Sequence, residues 1–415
     1  MSPSAYIDRH AGDLVKCLRE LVRIPTCNPP GENYGAVTAL LAGKLSALGL
    51  ETRRLSPSAA MARMALPEAG RAFPRWNVLG TLSTPGSAKT LHFNAHYDVV
   101  PVSGRWRHGD PFSGKVSNGW IYGRGTADMK GSIASLLMAL QALRATGVPP
   151  LLNIEVSFTA DEETDSALGA GWLVRHAPIR PDFAIVMEGG EGGAICCGHN
   201  GVVWLEVAVL GRAAHGSMPQ DGVNALEKMS ALVLALEDYK RRLNRRVFVT
   251  PEGRSMRPTI NVGGVFHCGE GAKVNTVPAL AVFTIDRRVL PVESQAEAER
   301  ELRAFLFAAA RRIPRCRIAV RKFSENPACF RPPNHRFFSA MAASLRRVRR
   351  AEPSFNVSTG FNDMHYFAQE RKIPTLGYGP GGRDFHGVNE RASERALVQA
   401  AKVYADIMTT FDGSA

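Results

Sequence analysis

The chain has 415 residues, 45% of them hydrophobic, and a formal charge of +13 at pH 7. That length argues for about two domains, and no apolar run is long enough to span a bilayer, so a membrane partner is not expected. The basic surplus is spread through helical stretches such as 300–312 and 346–350 without a nucleic-acid motif beside it; a nucleic-acid partner is therefore not expected, and the surplus reads first as a solvated surface and next as a positive field that draws in an anionic small substrate.

The first 24 residues lack the apolar core of a secretion signal and read as an amphipathic helix. The seven cysteines include no CxxC pair and read as reduced thiols, which together with that N-terminus predicts a cytoplasmic protein. The following region alternates helices over 35–48, 132–146 and 169–176 with strands over 90–95, 153–158 and 183–187. Such alternation predicts an α/β domain with a largely parallel sheet. From residue 201 the rhythm changes to a strand (202–210), a helix (224–241), two strands (259–266 and 279–289), a helix (294–311) and a strand (316–321). That β-α-β-β-α-β order predicts a small ferredoxin-like domain over 201–323, inserted between two parts of the larger domain, 1–200 and 324–415. A Pro- and charge-rich passage (325–335) leads into the last part, which ends in a helix over 393–410.

Parallel sheets bind ligands in the crevice beyond the carboxyl ends of their strands. His96, Tyr97 and Asp98 follow the first predicted strand; Glu162 and Glu163 follow the second; Glu188 follows the third. Asp128 stands in GRGTADMKGS after Tyr122, and His386 stands in the glycine-rich GGRDFHGVNE. Taken singly each has an ordinary reading: a surface turn for HxD, a helix N-cap for Asp128, loop residues for Glu188 and His386, a solvated turn for the Glu pair. Taken together, two imidazoles and several carboxylates suit Zn²⁺, Mn²⁺ or Co²⁺. A carboxylate has two oxygens with which to bridge a pair of such ions, which sit about 3.5–4 Å apart.

The chain resembles the two-metal amidohydrolase family of acetylornithine deacetylase, succinyl-diaminopimelate desuccinylase, aminoacylase and glutamate carboxypeptidase. The matching pieces are HYD (96–98), GRGTADMKG (123–131), DEE (161–163), VMEGG (186–190), GRAAHGSMP (211–219), NTVP (275–278), DRR (286–288) and HGVNE (386–390), in family order across nearly the whole chain. The resemblance implies two divalent metals, zinc first and manganese or cobalt next. It implies His96 and Glu188 as outer ligands of one metal, Glu163 and His386 as those of the other, and Asp128 as the bridge. It implies that Asp98 hydrogen-bonds the far nitrogen of His96. Glu162, left unbound beside the coordinating Glu163, would be the general base that takes a proton from a metal-bridging water and hands it to the leaving nitrogen.

The same resemblance makes the inserted domain a lid and the surface of a homodimer. His215 would polarise the scissile carbonyl, commonly from the partner subunit. Asn275 and Arg288 would grip substrate oxygens, Arg288 rather than its neighbour Arg287 holding a carboxylate bidentately. Thr359 and Gly360 would offer hydroxyl or backbone contacts. The implied reaction is hydrolysis of an amide C–N bond in a small substrate bearing a carboxylate, an N-acyl amino acid before a di- or carboxypeptidase substrate or an ammonia-releasing aminohydrolase one. A non-catalytic binding relative would lack Glu162 or a ligand, and none is missing. Two departures leave the substrate open: Glu188-Gly189-Gly190 stands where many deacylases have Glu-Pro-Thr, and TGFND (359–363) where others have Gly-Gly-Thr-Ser-Asp. Phe361 and Phe385 read first as pocket-wall packing and next as a lean toward an apolar or aromatic substrate group.

Overall fold

The computed structural model describes residues 1–66, 68–189, 193–269 and 272–414. The chain divides into two compact units, one of Met1–Gly198, Arg331–Asn356 and Asn362–Ala415, the other of His199–Phe330 and Val357–Phe361.

In the first unit, neighbouring strands run in the order Glu51–Leu55, Asn77–Leu82, Asn153–Thr159, Thr90–His96, Phe183–Val186, Thr375–Gly377 and Ile195–His199. The middle four, from Asn153–Thr159 to Thr375–Gly377, pair in parallel, and the pairs outside them are antiparallel. This is a mixed α/β sheet with a parallel centre, as expected. Strands covered on both faces bury consecutive residues, and Leu91 through His96 are all buried. The polar members of that run need partners inside: the two ring nitrogens of His92 lie 2.6 Å from Glu155 Oε2 and 2.7 Å from Ser157 Oγ. Helix Gly131–Thr146 is buried over most of its circumference and packs against Glu394–Thr410. It stops at Gly147, whose φ of 69° terminates a helix without steric cost.

A small sheet brings remote parts of the chain together. Arg391–Ser393 pairs antiparallel with Trp120–Tyr122, which pairs with Lys115–Ser117. Gly123 N–H then donates to the Glu390 carbonyl at 2.9 Å, so GRGTAD and HGVNE run side by side.

Two elements differ from expectation. The N-terminal helix is two helices, Pro3–Arg9 and Ala11–Val22, because His10 leaves the helical region (φ −107°, ψ 18°). The strand predicted over 316–321 runs Arg317–Asn326, since its alternation of more and less buried residues continues past 321 into the passage read as a linker.

The second unit has a four-stranded antiparallel sheet in the order Thr259–His267, Leu280–Val289, Gly201–Leu210, Arg317–Asn326. With helices Ala225–Leu243 and Gln295–Arg312 this is the β-α-β-β-α-β arrangement. Val203, Leu205, Val207 and Val209 alternate into a core shared with Leu232, Leu236, Leu302 and Leu306. Asn224 caps the first helix by accepting the Leu226 and Glu227 N–H groups, and Ser294 caps the second by accepting that of Glu297. No helix among the described residues is long and apolar enough to cross a membrane, and all seven cysteines are free thiols. Leu302 is fully buried, so Leu302→Ala is expected to cost about 2–5 kcal/mol and Asn224→Ala about 1 kcal/mol, measured by urea unfolding.

Candidate metal centre

His96 ends the central strand Thr90–His96, the Glu162–Thr164 turn follows the neighbouring strand Asn153–Thr159, and Glu188 follows Phe183–Val186. Their parallel pairing delivers all three to one crevice. Asp128 and His386 arrive from the side, on the two segments held together by the small sheet. All five residues read as ligands, and Glu162, belong to the first unit.

Asp128 turns one oxygen to each imidazole. Its Oδ1 lies 3.0 Å from His96 Nε2 and its Oδ2 3.2 Å from His386 Nε2. On the His96 side, Glu188 Oε1 is 3.5 Å and Glu162 Oε2 3.9 Å from Nε2. On the other side, Glu163 Oε2 is 3.1 Å from His386 Nε2. The adjacent glutamates therefore diverge, Glu162 toward His96 and Glu163 toward His386. His96, Glu162 and Glu188 offer donor atoms within 4.8 Å of one another, and so do His96, Asp128 and Glu163.

The divergence is held by a polar scaffold beneath the turn. Asp98 Oδ1 accepts the Glu162 N–H and Oδ2 that of Glu163, both at 3.2 Å. Asp98 was expected to hydrogen-bond His96 through its carboxylate; its backbone carbonyl is the nearer partner of Nδ1, at 3.0 Å against 3.5 Å for Oδ1. The carboxylate thus reaches His96 at the longer distance while it also holds the turn. Asn28, buried and without a role in the motif reading, donates from Nδ2 to Asp98 Oδ2 at 2.9 Å and to Asp161 Oδ1 at 3.0 Å. Asp161 in turn accepts from Arg75 Nε at 2.6 Å. Asp363, the last residue of TGFND, is a further buried acid, accepting from Ser166 Oγ at 2.5 Å. No spacing rule relates Asn28, Arg75 or Asp363 to the ligands; their roles depend on contacts between distant segments.

The electrostatics fit a cation. Burial, then the charge of Glu188, holds the Glu162 carboxyl well above the usual carboxylate range. Burial likewise pushes Glu188 up to about 7, against the opposing effect of His96. Burial is the leading cause at Glu163 and at Asp363 too, and the latter is raised to about 6. Asp128 moves the other way: burial would raise it, but hydrogen bonds from His386 and His96 hold it low. Burial would depress His96, yet its contacts with Asp128, Asp98 and Glu188 raise it overall, and contacts with Asp128 and Glu163 raise His386 to about 10. Among the described residues no Lys or Arg side chain pairs with Asp128, Glu162, Glu163 or Glu188. Four acids, Glu162 buried and Asp128, Glu163 and Glu188 half-buried, share two imidazoles, and a divalent ion with oxygen and nitrogen ligands is the charge that such a set accommodates.

The remaining predicted residues lie in the second unit. His215 is exposed, and its Nδ1 accepts the Ser217 N–H at 3.2 Å, which assigns the ring proton to Nε2. The Asn275 carbonyl accepts the Gly216 N–H at 2.7 Å, so His215 and Asn275 are neighbours. Arg288 is elsewhere. In the ladder Leu280 pairs with Leu210 and Arg288 with Val202; eight residues of strand, roughly 26 Å, separate the His215 end from Arg288. Arg288 is tied through Nε and Nη2 to Asp286 Oδ2, at 3.1 and 2.9 Å. Arg287 is buried and pairs with Glu293 at 2.8 Å. Ser358, just before Thr359 and Gly360, accepts the Asn200 N–H at 3.0 Å through its carbonyl, which puts these residues at the Arg288 end. Phe385 is 43% exposed beside His386, Phe361 is half-buried, and Gly190 lies outside the described residues.

Comparison with known proteins agrees with this geometry. Residues 92–410 match peptidase family M20/M25/M40. The chain is similar to succinyl-diaminopimelate desuccinylase of Paracoccus denitrificans, 26% identical over 409 residues, covering 96% of this chain and 98% of that protein. It is similar to aminoacylase-1 of Sus scrofa, 26% identical over 416 residues, covering 95% and 94%. Its fold is similar to that of human carnosine dipeptidase 1, with a TM-score of 0.77 at 18% identity and 98% of each chain covered.

Both histidines are raised in the metal-free protein, so at pH 7 they carry protons that coordination must displace. Metal binding is expected to release protons and to weaken as pH falls. Calorimetric titration in buffers of different ionisation enthalpy checks this; proton uptake, or an affinity flat across pH 6–8, would contradict it.

Proposed function

This chain belongs to peptidase family M20/M25/M40, a family of metal-dependent amidohydrolases, and we propose that it hydrolyses the amide bond of N-acyl amino acids at a two-metal centre. The observation that supports two metals is the orientation of Asp128, one oxygen toward each imidazole with a glutamate beyond each. Zinc suits this donor set first, and manganese or cobalt suits the same chemistry. His96 and Glu188, Glu163 and His386, and Asp128 between them would hold the ions, which would supply Lewis acidity and lower the pKa of water toward about 7.

The chain's own residues then divide the work. Glu162 accepts a proton as water oxygen bonds to the acyl carbon, and returns it to the nitrogen as the C–N bond breaks, leaving a carboxylate and an amine. Its raised affinity for a proton suits both halves of that transfer. Asp98 and Asn28 keep the Glu162–Glu163 turn from rotating. His215, with Nε2–H outward, donates to the developing oxyanion. Arg288 exchanges Asp286 for the substrate carboxylate, while Asn275, Thr359 and Gly360 contact other substrate oxygens. The two relatives compared by sequence above are named for desuccinylase and aminoacylase activities, whereas the dipeptidase is similar in fold at only 18% identity, which favours acyl amino acids over dipeptides.

The roughly 26 Å of strand between Arg288 and the His215–Asn275 pair bears on assembly. An amino-acid substrate is too short to meet both within one copy of the unit. A homodimer in which each copy lends His215 and Asn275 to its partner removes the difficulty. Free thiols accord with a cytoplasmic location.

Metal-loaded enzyme is expected to release free acid from N-acyl amino acids faster than it cleaves dipeptides; ammonia release without an acid product would overturn the proposal. Glu162→Ala is expected to keep its metals and lose about 10²–10⁴-fold in turnover, whereas Glu163→Ala also loses metal. Mixing the inactive variants His215→Ala and Arg288→Ala should restore activity that neither has alone, and no recovery in co-refolded mixed dimers would show that His215 serves its own chain.

A further inference from the structure

Two residues inside the motif stretches have no part in the chemistry above. Arg124 opens GRGTADMKG after Gly123, and Glu390 closes HGVNE. Both are buried, Arg124 1% and Glu390 0% exposed. We propose that Glu390 and Arg124 are a positioning pair for the metal held between Asp128 and His386, and that they act most on this metal, two of whose ligands they hold, and less on the one beside His96 and Glu188, which shares only Asp128. The inference rests on the two-metal reading and goes beyond it.

The contacts run from one ion pair to both ligands. Glu390 Oε1 accepts the backbone N–H of Ala127 at 2.9 Å and of Asp128 at 3.1 Å. Its Oε2 accepts Arg124 Nη1 at 2.6 Å, and Arg124 Nη2 donates to the His386 carbonyl at 3.0 Å. The Arg124 guanidinium lies 5.5 Å from the ring centroid of the buried Trp106, which backs it in place. Every contact to a ligand is with backbone, so the Asp128 carboxylate and the His386 imidazole stay free to face each other at 3.2 Å.

His386 needs such a hold. Its φ of 58° is in the left-handed region, which a non-glycine residue occupies only when its surroundings dictate it. The hydrogen bond to its carbonyl is the contact that Arg124 supplies. The fork of the guanidinium matters, because one nitrogen serves Glu390 and another serves His386; the single ammonium of a lysine does not span both. No hydrogen bond of either residue reaches His96, Glu188 or Glu162; the other half feels the hold only through the shared Asp128, so the effect is larger on the His386 half.

The test is calorimetric titration of Zn²⁺ into the metal-free wild type, Arg124→Lys and Glu390→Gln, with thermal melting of each metal-free protein. Wild type is expected to show two binding events. In both variants the event assigned to the His386 side, identified by its absence in His386→Ala, weakens about 10–100-fold while the other, which shares only Asp128, weakens by a clearly smaller factor. Two events weakened alike, or neither weakened in the variant whose melting matches wild type, would overturn the pairing. Wild type with a single event would remove the two-metal reading, and the pairing with it. Glu390→Gln keeps an acceptor for the two N–H groups, so it decides the question should Arg124→Lys melt early.

Discussion

Buried negative charge is the constraint around which this protein is arranged. Asp128, Glu162, Glu163 and Glu188 converge on two imidazoles, with Asp363 close behind, and among the described residues no Lys or Arg side chain neutralises the four. Carboxylates out of water repel one another strongly unless something compensates them. The raised Glu162 and Glu188 and the raised histidines are two signs of the same imbalance. Divalent cations resolve it, and the donor set selects which ones.

The same constraint explains why so much buried polar structure lies outside the ligands. A crowded carboxylate cluster would relax by rotating side chains apart unless the backbone beneath were held. Asp98 with Asn28 holds the Glu162–Glu163 turn, Arg75 anchors Asp161 just before it, and Glu390 with Arg124 holds Asp128 and His386. Each clamp joins segments far apart in sequence, so folding and assembly of the site are the same event. Family members that share the ligands can still differ in substrate, because the clamps say nothing about the acyl group.

The second unit obeys a different logic. Its sheet separates Arg288 from His215 and Asn275 along a ladder without a bulge between them. Distance within one rigid element is not adjustable by side-chain rotation, whereas the Arg288–Asp286 pair is half-exposed and exchangeable. On the proposed function, substrate recognition would be spread over both ends of a sheet, and a second copy would be the economical way to use both at once.

Much of this was legible in the order of residues. Strand ends carrying His96, Glu162–Glu163 and Glu188 follow from apolar runs followed by acids, and the β-α-β-β-α-β rhythm follows from alternation and periodicity, which are local properties. The paired glutamates took on a division of labour only through the family resemblance. What the sequence did not contain was anything set by meeting of distant segments: the partner that Asp98 prefers, the part played by Asn28, Arg75 and Asp363, the Glu390–Arg124 hold, and the side of the sheet on which Arg288 falls. Residue types and spacing by themselves pointed to the fold class and to the strand-end acids and histidines as candidate donors, because those depend on neighbours along the chain; the division of roles among them came from the family resemblance. Tertiary structure alone decided which oxygen faces which imidazole, because that depends on the strand order and on the small sheet that lays residue 390 beside residue 123.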